Sequence, residues 1–327
     1  RLASLLGVNT PEQIVLTTHA THALNLAILG FPLENGSHVI TTVTEHNSVL
    51  RPLYHLKENN GIEITLIGLD ESGALDEKSY EKALKKGADL VLINHVSNVT
   101  GRINPVERLF AQAKSSGAVT LLDASQSLGH IPVKPLEQKA NLVAFTGHKG
   151  LRGPAGTGGL YVSPEIELRQ AIVGGTGVRS DLLHHPPDMP TRLEAGTPNV
   201  PALAGLAAAL RWLEKEGDSF YRNESSLLTL LNSELRNLPG IRIFDDFPDT
   251  ERLGILSFRI EGWDVEETGY ILAESFNISC RTGLHCAPLI HRPLGSMPQG
   301  TIRFSISGFN TEEEICNAVK AVRKLAS

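Results

Sequence analysis

Short apolar runs bounded by turn residues alternate with longer amphipathic stretches through the first two thirds of the chain. The runs are HVITTV (38–43), EITLIGL (63–69), DLVLINHV (89–96), AVTLLDA (118–124), NLVAFTG (141–147) and GGLYVS (158–163). Runs that are apolar on both faces, with helical spacing between them, predict an α/β domain with a mainly parallel central sheet and helices on both faces. THATHALNLAILG (18–30) predicts a helix that opens near Thr21 and closes at Gly30. NPVERLFAQAKSSG (104–117) predicts another, with Asn104 as N-cap, Pro105 at the first helical position and Gly117 as the stop.

TPNVPALAGLAAALRWLEKEG (197–217) predicts a long alanine-rich helix that ends at Gly217, with Asp218 capping the next one. Beyond it the texture changes. Strand patterns IRIF, GILSFRI and TIRFSIS mix with helical patterns around VEETGYILAESF and TEEEICNAVKAVRKLA, the last opened by a Thr311 to Glu314 capping box. The boundaries predicted are a large domain over 1–214 and a smaller C-terminal α+β domain over 215–327. HHPPDMP (184–190) marks an exposed loop, and no internal repeat is present.

With 327 residues, 41% hydrophobic and 20% charged, the chain can bury a substantial core. Its net charge of −6 offers no basic field for nucleic acid, and no apolar run is long enough to span a membrane. A soluble, cytoplasmic protein is expected. Three sparse cysteines, Cys280, Cys286 and Cys316, fit neither a disulfide framework nor a zinc cluster. The chain opens on RLASLLGVNT, without methionine and inside a helical pattern, so a preceding segment is expected.

In an open parallel sheet, ligands bind beyond the carboxyl ends of the strands. There the runs are followed by Glu45 and His46, by Ser97 and Asn98, by Asp123 and Gln126, and by Thr146, His148 and Lys149. A salt bridge would account for Lys149 and Asp123 as a pair, and turn chemistry for any other single member. Together they offer more: an amine able to form a Schiff base, and a carboxylate to face a protonated pyridine nitrogen. That is the pair pyridoxal phosphate requires. The helix N-terminus at Ala20 and Thr21 would receive the phosphate, and the flat ring of His46 could cover the pyridine. The glycines of TGHKGLRGPAGTGG follow the lysine rather than precede it, and Gly150 stands where a phosphate loop has Ser or Thr, so a nucleotide loop is a poor second.

These residues resemble the class V aminotransferase superfamily of fold-type I pyridoxal phosphate enzymes, and within it the cysteine desulfurases related to selenocysteine lyase. The resemblance runs through LTTHATHALNLAI, EHNSVLRP, HVSNVTG, DASQSLGHIPV, FTGHKGLRGPAGTGGLYV, EAGTPN, RTGLHCAP and GTIRFSISGFNT, nearly the whole chain. GHK alone is a weak motif; the ordered set is highly specific. The resemblance implies that Lys149 holds the cofactor covalently and later moves protons at the substrate Cα. Asp123 would pair with the pyridine nitrogen, Gln126 with the phenolic oxygen, and His46 would stack on the ring. Ala20, Thr21, Thr146 and His148 would hold the phosphate, and Asn98 and Arg303 the substrate carboxylate. Thr197 would reach the phosphate of a neighbouring subunit, implying a homodimer.

Cys286 decides the reaction expected. Cys316, read onto the apolar face of the last helix, and Cys280 fit small buried hydrophobes. Cys286 instead lies in the polar RTGLHCAP, where flanking Arg281 and His285 suggest an exposed loop whose cations favour a nucleophilic sulfur. In the desulfurases a cysteine here attacks the substrate sulfur, implying L-cysteine as substrate, L-alanine as product and transfer of the sulfur to an acceptor protein, as in iron–sulfur cluster assembly. Selenocysteine lyase, cysteine sulfinate desulfinase, and another class V aminotransferase or lyase are the alternatives within the fold. A non-catalytic relative would not need all four of these residue types. Two positions depart from the family pattern: His19, where a glycine is common, and Asn47, where relatives often carry histidine or lysine. The expected preceding segment would complete the small domain and the substrate entrance.

Overall fold

The computed structural model describes residues 1–245 and 251–326. In chain order the elements are α1 (Leu2–Leu6), β1 (Ile14–Thr17), α2 (Ala20–Gly30), β2 (His38–Thr42), α3 (Asn47–Asn60), β3 (Glu63–Ile67), α4 (Glu77–Leu84), β4 (Leu90–Asn94), α5 (Val106–Ser115), β5 (Val119–Asp123), β6 (Leu142–Thr146) and β7 (Gly158–Val162). They continue with α6 (Val200–Arg236), β8 (Ile241–Ile243), β9 (Ile255–Ile260), α7 (Val265–Phe276), β10 (Arg281–Gly283), β11 (Thr301–Ser305) and α8 (Glu312–Ala326).

The chain divides into two compact units. The first comprises 1–68, 75–95 and 104–215; the second comprises 69–74, 96–103 and 216–327. The segments 69–74 and 96–103 therefore group with the C-terminal unit, although they fall inside the range the sequence suggests for the large domain.

The first unit is built on a seven-stranded sheet in the order β1-β7-β6-β5-β4-β2-β3. Strands β2 to β6 run parallel, while β7 and β1 close one edge antiparallel. All five residues of β4, β6 and β7 are buried, which explains why they read as unbroken apolar runs. The four-residue β1 joins them although it is too short to stand out as a run. Helix α2 packs against β1, β5, β6 and β7, contributing Ala23, Leu24, Ala27 and Ile28 to a core shared with Leu92, Leu121, Ala144 and Leu160. The second unit carries an antiparallel sheet in the order β10-β11-β9-β8. Its core joins Phe258 and Phe304, whose rings meet edge to face at 5.0 Å, with Leu231, Leu272 and Val319.

Three local expectations need correction. Helix α6 does not stop at Gly217 but runs 37 residues to Arg236. A glycine inside a helix costs only about 1 kcal/mol relative to alanine, and the strong helix formers Leu213, Glu214, Lys215 and Glu216 precede it, so Asp218 lies within the helix. Helix α5 begins one residue later than expected, and Asn104 does not cap it: its amide donates to the backbone oxygen and to Oδ1 of Asn94 at 2.8 and 3.0 Å. Cys316 is exposed rather than buried, because the apolar stripe of α8 is Ile315, Ala318, Val319 and Val322 and the next residue round the helix points away from it. The capping box of α8 forms as read, with Thr311 N donating to Glu314 Oε2 at 2.9 Å and Glu314 N to Thr311 Oγ1 at 3.2 Å.

The glycines after Lys149 serve close approach. A Cβ on Gly158 would lie 2.8 Å from the Phe145 oxygen and 2.9 Å from the His19 backbone, so β7 meets the start of α2 only because no side chain intervenes. Gly158→Ala is expected to lower the unfolding free energy by about 1–3 kcal/mol, read as a lower urea midpoint at unchanged slope.

Candidate functional site

The first unit gathers one cluster at the carboxyl ends of its parallel strands, where β2, β5 and β6 give way to α3 and to turns. Helix α2 opens beside it. His19 caps α2 with its own ring, Nδ1 accepting from His22 N at 3.0 Å. The amides of Ala20 and Thr21 find no acceptor among the described residues, which leaves two of the unsatisfied donors of a helix N-terminus open. Lys149 and the imidazoles of His19, His22 and His148 converge on the same turn. His148 is held below its ordinary pKa by desolvation, then by the charges of Lys149 and His19, and His22 by desolvation and then His19. Open amides beside imidazoles and an amine, which hold protons more readily once an anion sits among them, suit a phosphate. His22 was not singled out by sequence reasoning; two histidines three residues apart at a helix start were the available signal.

Lys149 lies half-buried in the turn after β6. Thr146, at the end of that strand, is buried, and its hydroxyl meets His148 Nδ1 at 3.0 Å, so it holds the His148 ring rather than standing open to solvent. Asp123 ends β5 and is 6% exposed. Its Oδ1 accepts from Ser125, from the backbone N at 2.9 Å and from the hydroxyl, while Oδ2 takes no hydrogen bond. The carboxylate is thus oriented by one oxygen and open at the other. Gln126 follows in the same turn, half-buried, with its backbone oxygen bound to His130 Nδ1 at 3.0 Å. His46 caps α3 and is half-buried. Thr197 is exposed in the segment before α6.

Behind His46 lies a buried polar network. Glu45 is wholly buried; its Oε1 accepts from Thr42 Oγ1 at 2.7 Å and from Asn94 N at 3.0 Å, and its Oε2 meets no donor. Asn94 in turn accepts at Oδ1 from Thr44 Oγ1 at 2.6 Å and donates to the Thr44 oxygen at 2.9 Å. Burial pushes the Glu45 carboxyl up to about 8 against the pull of those two hydrogen bonds, and the charge of Asp123 pushes it the same way. Glu45 is therefore a neutral hydrogen-bonding group at neutral pH, and Asp123 holds the negative charge at this end of the sheet.

The second unit gathers the other set. Asn98 and Arg303 meet there, Arg303 Nη1 donating to the Asn98 oxygen at 2.9 Å. Both keep a buried polar atom without a partner, Asn98 Oδ1 and Arg303 Nε. Cys286 is half-buried, and Arg281 Nη2 donates to its Sγ at 3.2 Å. His285 and Cys286 both have left-handed backbone, φ 50° and 58°. The expectation of two flanking cations needs correction: His285 is 2% exposed, its Nε2 lies 2.8 Å from Thr301 Oγ1, and burial, followed by the charges of Arg303, His291 and Arg281, pushes it down to about 3. His285 is neutral, and Arg281 is the cation at the sulfur. His291 was missed by sequence reasoning; fully buried, it lies with Nε2 3.1 Å from the Leu284 oxygen and Nδ1 2.7 Å from Ser296 Oγ, bracing the start of the cysteine loop.

Because the folded chain holds a proton on Glu45 to a higher pH than an unfolded chain would, where the ordinary value is 4.5, its contribution to stability is complete below that value. It is lost as pH rises towards about 8. Glu45→Gln, which mimics the protonated form, is expected to remove this loss, on the order of 4 kcal/mol, and to be more stable than the native chain at pH 8.5. Urea unfolding of both at pH 5, 6.5 and 8.5 checks it; equal slopes with pH would refute it.

The residues fit pyridoxal phosphate: open amides and converging imidazoles for a phosphate, an oriented carboxylate with one free oxygen for a pyridinium, and a lysine in the adjoining turn. Among the described residues no group of histidine, cysteine and acidic side chains could hold a metal. Comparison with known proteins agrees with this geometry. The chain is 34% identical over 315 residues to a probable cysteine desulfurase of Pyrococcus abyssi, covering 93% of this chain and 76% of that one. It is 32% identical over 338 aligned positions to a cysteine desulfurase of Pectobacterium atrosepticum, covering 99% and 80%. The apo structure of a cysteine desulfurase from Thermococcus onnurineus superposes with a TM-score of 0.91 at 34% identity, over 99% of this chain and 82% of that one. The family model described as Aminotransferase class-V matches residues 1–317, and the chain belongs to that family.

Proposed function

We propose that this protein is a pyridoxal phosphate-dependent cysteine desulfurase that converts L-cysteine to L-alanine and carries the sulfur as a persulfide on Cys286. The observation that carries the reading is the cysteine loop: a half-buried thiol on left-handed backbone, with the Arg281 guanidinium 3.2 Å from its sulfur. The guanidinium orients the sulfur through a hydrogen bond and offers a charge-assisted partner to the thiolate that attacks. An enzyme that only moved amino groups would have no use for it. When bound, pyridoxal phosphate supplies a carbonyl carbon for an amine and an electron-withdrawing ring that stabilises negative charge at an amino acid Cα.

The chain's own residues supply the rest. The amides of Ala20 and Thr21, the Thr21 hydroxyl and His148 bind the phosphate, with Thr146 holding His148 in place. Asp123 offers its free Oδ2 to the pyridine N–H, Gln126 serves the phenolic oxygen, and His46 covers the ring. Lys149 anchors the cofactor through Nζ and afterwards takes the proton from the substrate Cα. Arg303 and Asn98 hold the substrate carboxylate, Arg303 suited to the task by its planar fork and Asn98 by its Nδ2 amide. Asn98 also donates through Nδ2 to the His285 oxygen at 2.7 Å, which ties the carboxylate site to the residue next to Cys286. The Cys286 sulfur then forms a bond to the substrate Sγ as the Sγ–Cβ bond breaks, and the carbon skeleton leaves as alanine once Cβ has gained a proton, with His46 as the shuttle, and Lys149 has returned the proton to Cα.

The reading extends to a homodimer in which Thr197 of each subunit serves the other's phosphate, to an acceptor protein that takes the persulfide sulfur for iron–sulfur cluster assembly, and to a cytoplasmic setting. No helix among the described residues is long and apolar enough to cross a membrane. With L-cysteine, the protein is expected to form alanine and to gain one sulfur atom on the peptide carrying Cys286. Cys286→Ser should lower alanine formation by about 100-fold or more, the scale on which loss of a reacting group acts. Alanine from cysteine at an undiminished rate, or a 2-oxo acid from another amino acid with none from cysteine, would overturn the proposal.

A further inference from the structure

Helices α2 and α3 pack together, and their first turns bring together residues 27 apart in sequence. Ser48, second residue of α3, lies with its Oγ 2.6 Å from His46 Nδ1 and 2.9 Å from Thr21 Oγ1. Its backbone N–H also points at His46 Nδ1, at 3.0 Å. We infer that Ser48 is a positioning residue of the cofactor site, whose single hydroxyl proton is shared between the His46 ring and the Thr21 hydroxyl. The inference rests on the proposed placement of the phosphate at Thr21 and of the cofactor ring at His46.

Proton inventory gives the bridge a direction. A backbone N–H can only donate, so Nδ1 of His46 accepts, and the neutral ring carries its proton on Nε2. The shorter contact to the same nitrogen comes from Ser48 Oγ, whose O–H therefore points at the ring. Its oxygen is left to accept from Thr21, and the row runs Thr21 to Ser48 to His46. Thr21 has one hydroxyl proton. An oxyanion on the first turn of α2 claims it, and Ser48 then turns its own proton to Thr21 Oγ1. Hydrogen bonds in a row polarise one another, so Thr21 becomes a better donor to the anion. His46 keeps only the backbone donor at Nδ1. Filling the phosphate site thereby releases the His46 ring from the hydroxyl.

Helix formation does not require this serine. His46 already caps α3, and alanine is the better helix former at the position. The hydroxyl is spent on the neighbouring helix instead of its own backbone, the usual use of serine in a first turn.

The test uses the full chain with 15N-labelled histidine at a fixed pH of about 8, where a neutral ring is expected. In the cofactor-free native chain, His46 Nδ1 should resonate as an unprotonated, hydrogen-bonded nitrogen and should move when inorganic phosphate is added. In Ser48→Ala the resonance should start displaced, and the response to phosphate should fall by more than half. Pyridoxal phosphate should bind about fivefold more weakly, the scale of one neutral hydrogen bond, and Ser48→Thr should restore both signals. Unchanged thermal unfolding of the cofactor-free Ser48→Ala chain shows the fold intact. A His46 resonance and a cofactor affinity both within twofold of native in Ser48→Ala would overturn the inference. Borohydride reduction followed by peptide mapping separates the two levels: no pyridoxyl adduct on Lys149 would sink the cofactor reading, while the His46 signal in the cofactor-free chain tests the bridge by itself.

Discussion

The first turn of α2 leaves the amides of Ala20 and Thr21 without acceptors among the described residues, and the elements around that turn are arranged about this one deficit. Open donors at the end of a helix produce a concentrated positive potential, and an anion is the partner that relieves it. The β7 backbone approaches this turn closely enough to exclude a side chain at Gly158. His19 satisfies the next amide with its ring, so the turn is held open only where the phosphate would bind. His148, on the turn after β6, is oriented by the buried Thr146 hydroxyl, and desolvation, then the charges of Lys149 and His19, depress its basicity.

Behind the turn, charge is rationed by burial. Two carboxyl groups, Glu45 and Asp123, lie buried at the ends of β2 and β5, and both cannot be ionised cheaply without a cation between them. The protein resolves this by environment. Asp123 receives two donors from Ser125 and keeps an oxygen free, whereas Glu45 is sealed within Thr42, Thr44 and Asn94. The result is one negative charge, where a protonated pyridine would need it, and one neutral carboxyl that fixes the end of β2 from which His46 departs.

Sequence pattern located the inner strands of the parallel sheet because they are buried on both faces and so read as apolar runs, while β3, at the edge, is only half-buried. It also located the polar residues beyond their carboxyl ends, since topology alone puts a ligand there. Its failures have physical causes. Helix α6 passes Gly217 because strong formers before it outweigh a local cost of about 1 kcal/mol. Edge strand β1 escapes notice because four residues carry too little periodicity. His285 looked like a cation because local composition does not reveal burial, which decides whether an imidazole holds a proton. Ser48 and His291 were invisible because their meaning lies in contacts with Thr21 and Leu284, and nothing in their own neighbourhood announces a role.

The proposed nucleophile, Cys286, obeys a separate logic, contained within the second unit. Successive left-handed residues that are not glycine cost of order 1–2 kcal/mol each, so His285 and Cys286 hold that conformation only because their surroundings impose it. The His285 ring is pinned by Thr301 and its oxygen by Asn98; Leu284 is held by His291. On the far side, Ala287 and Ile290 are buried with Val99, whose backbone oxygen accepts from Ser257 Oγ at 2.5 Å. The 96–103 segment thus supplies both Asn98 and part of the floor of the cysteine loop, and is itself tied down by the pair of half-buried Arg102 and buried Asp245, with Nε to Oδ2 at 2.8 Å. A strained loop braced on both sides has little freedom to let its sulfur wander, and the brace includes the residue assigned to the substrate carboxylate. Attack on a sulfur two bonds from Cα demands that coupling: the group that fixes the carboxylate and the group that delivers the thiolate have to keep their spacing, and here one asparagine side chain joins them.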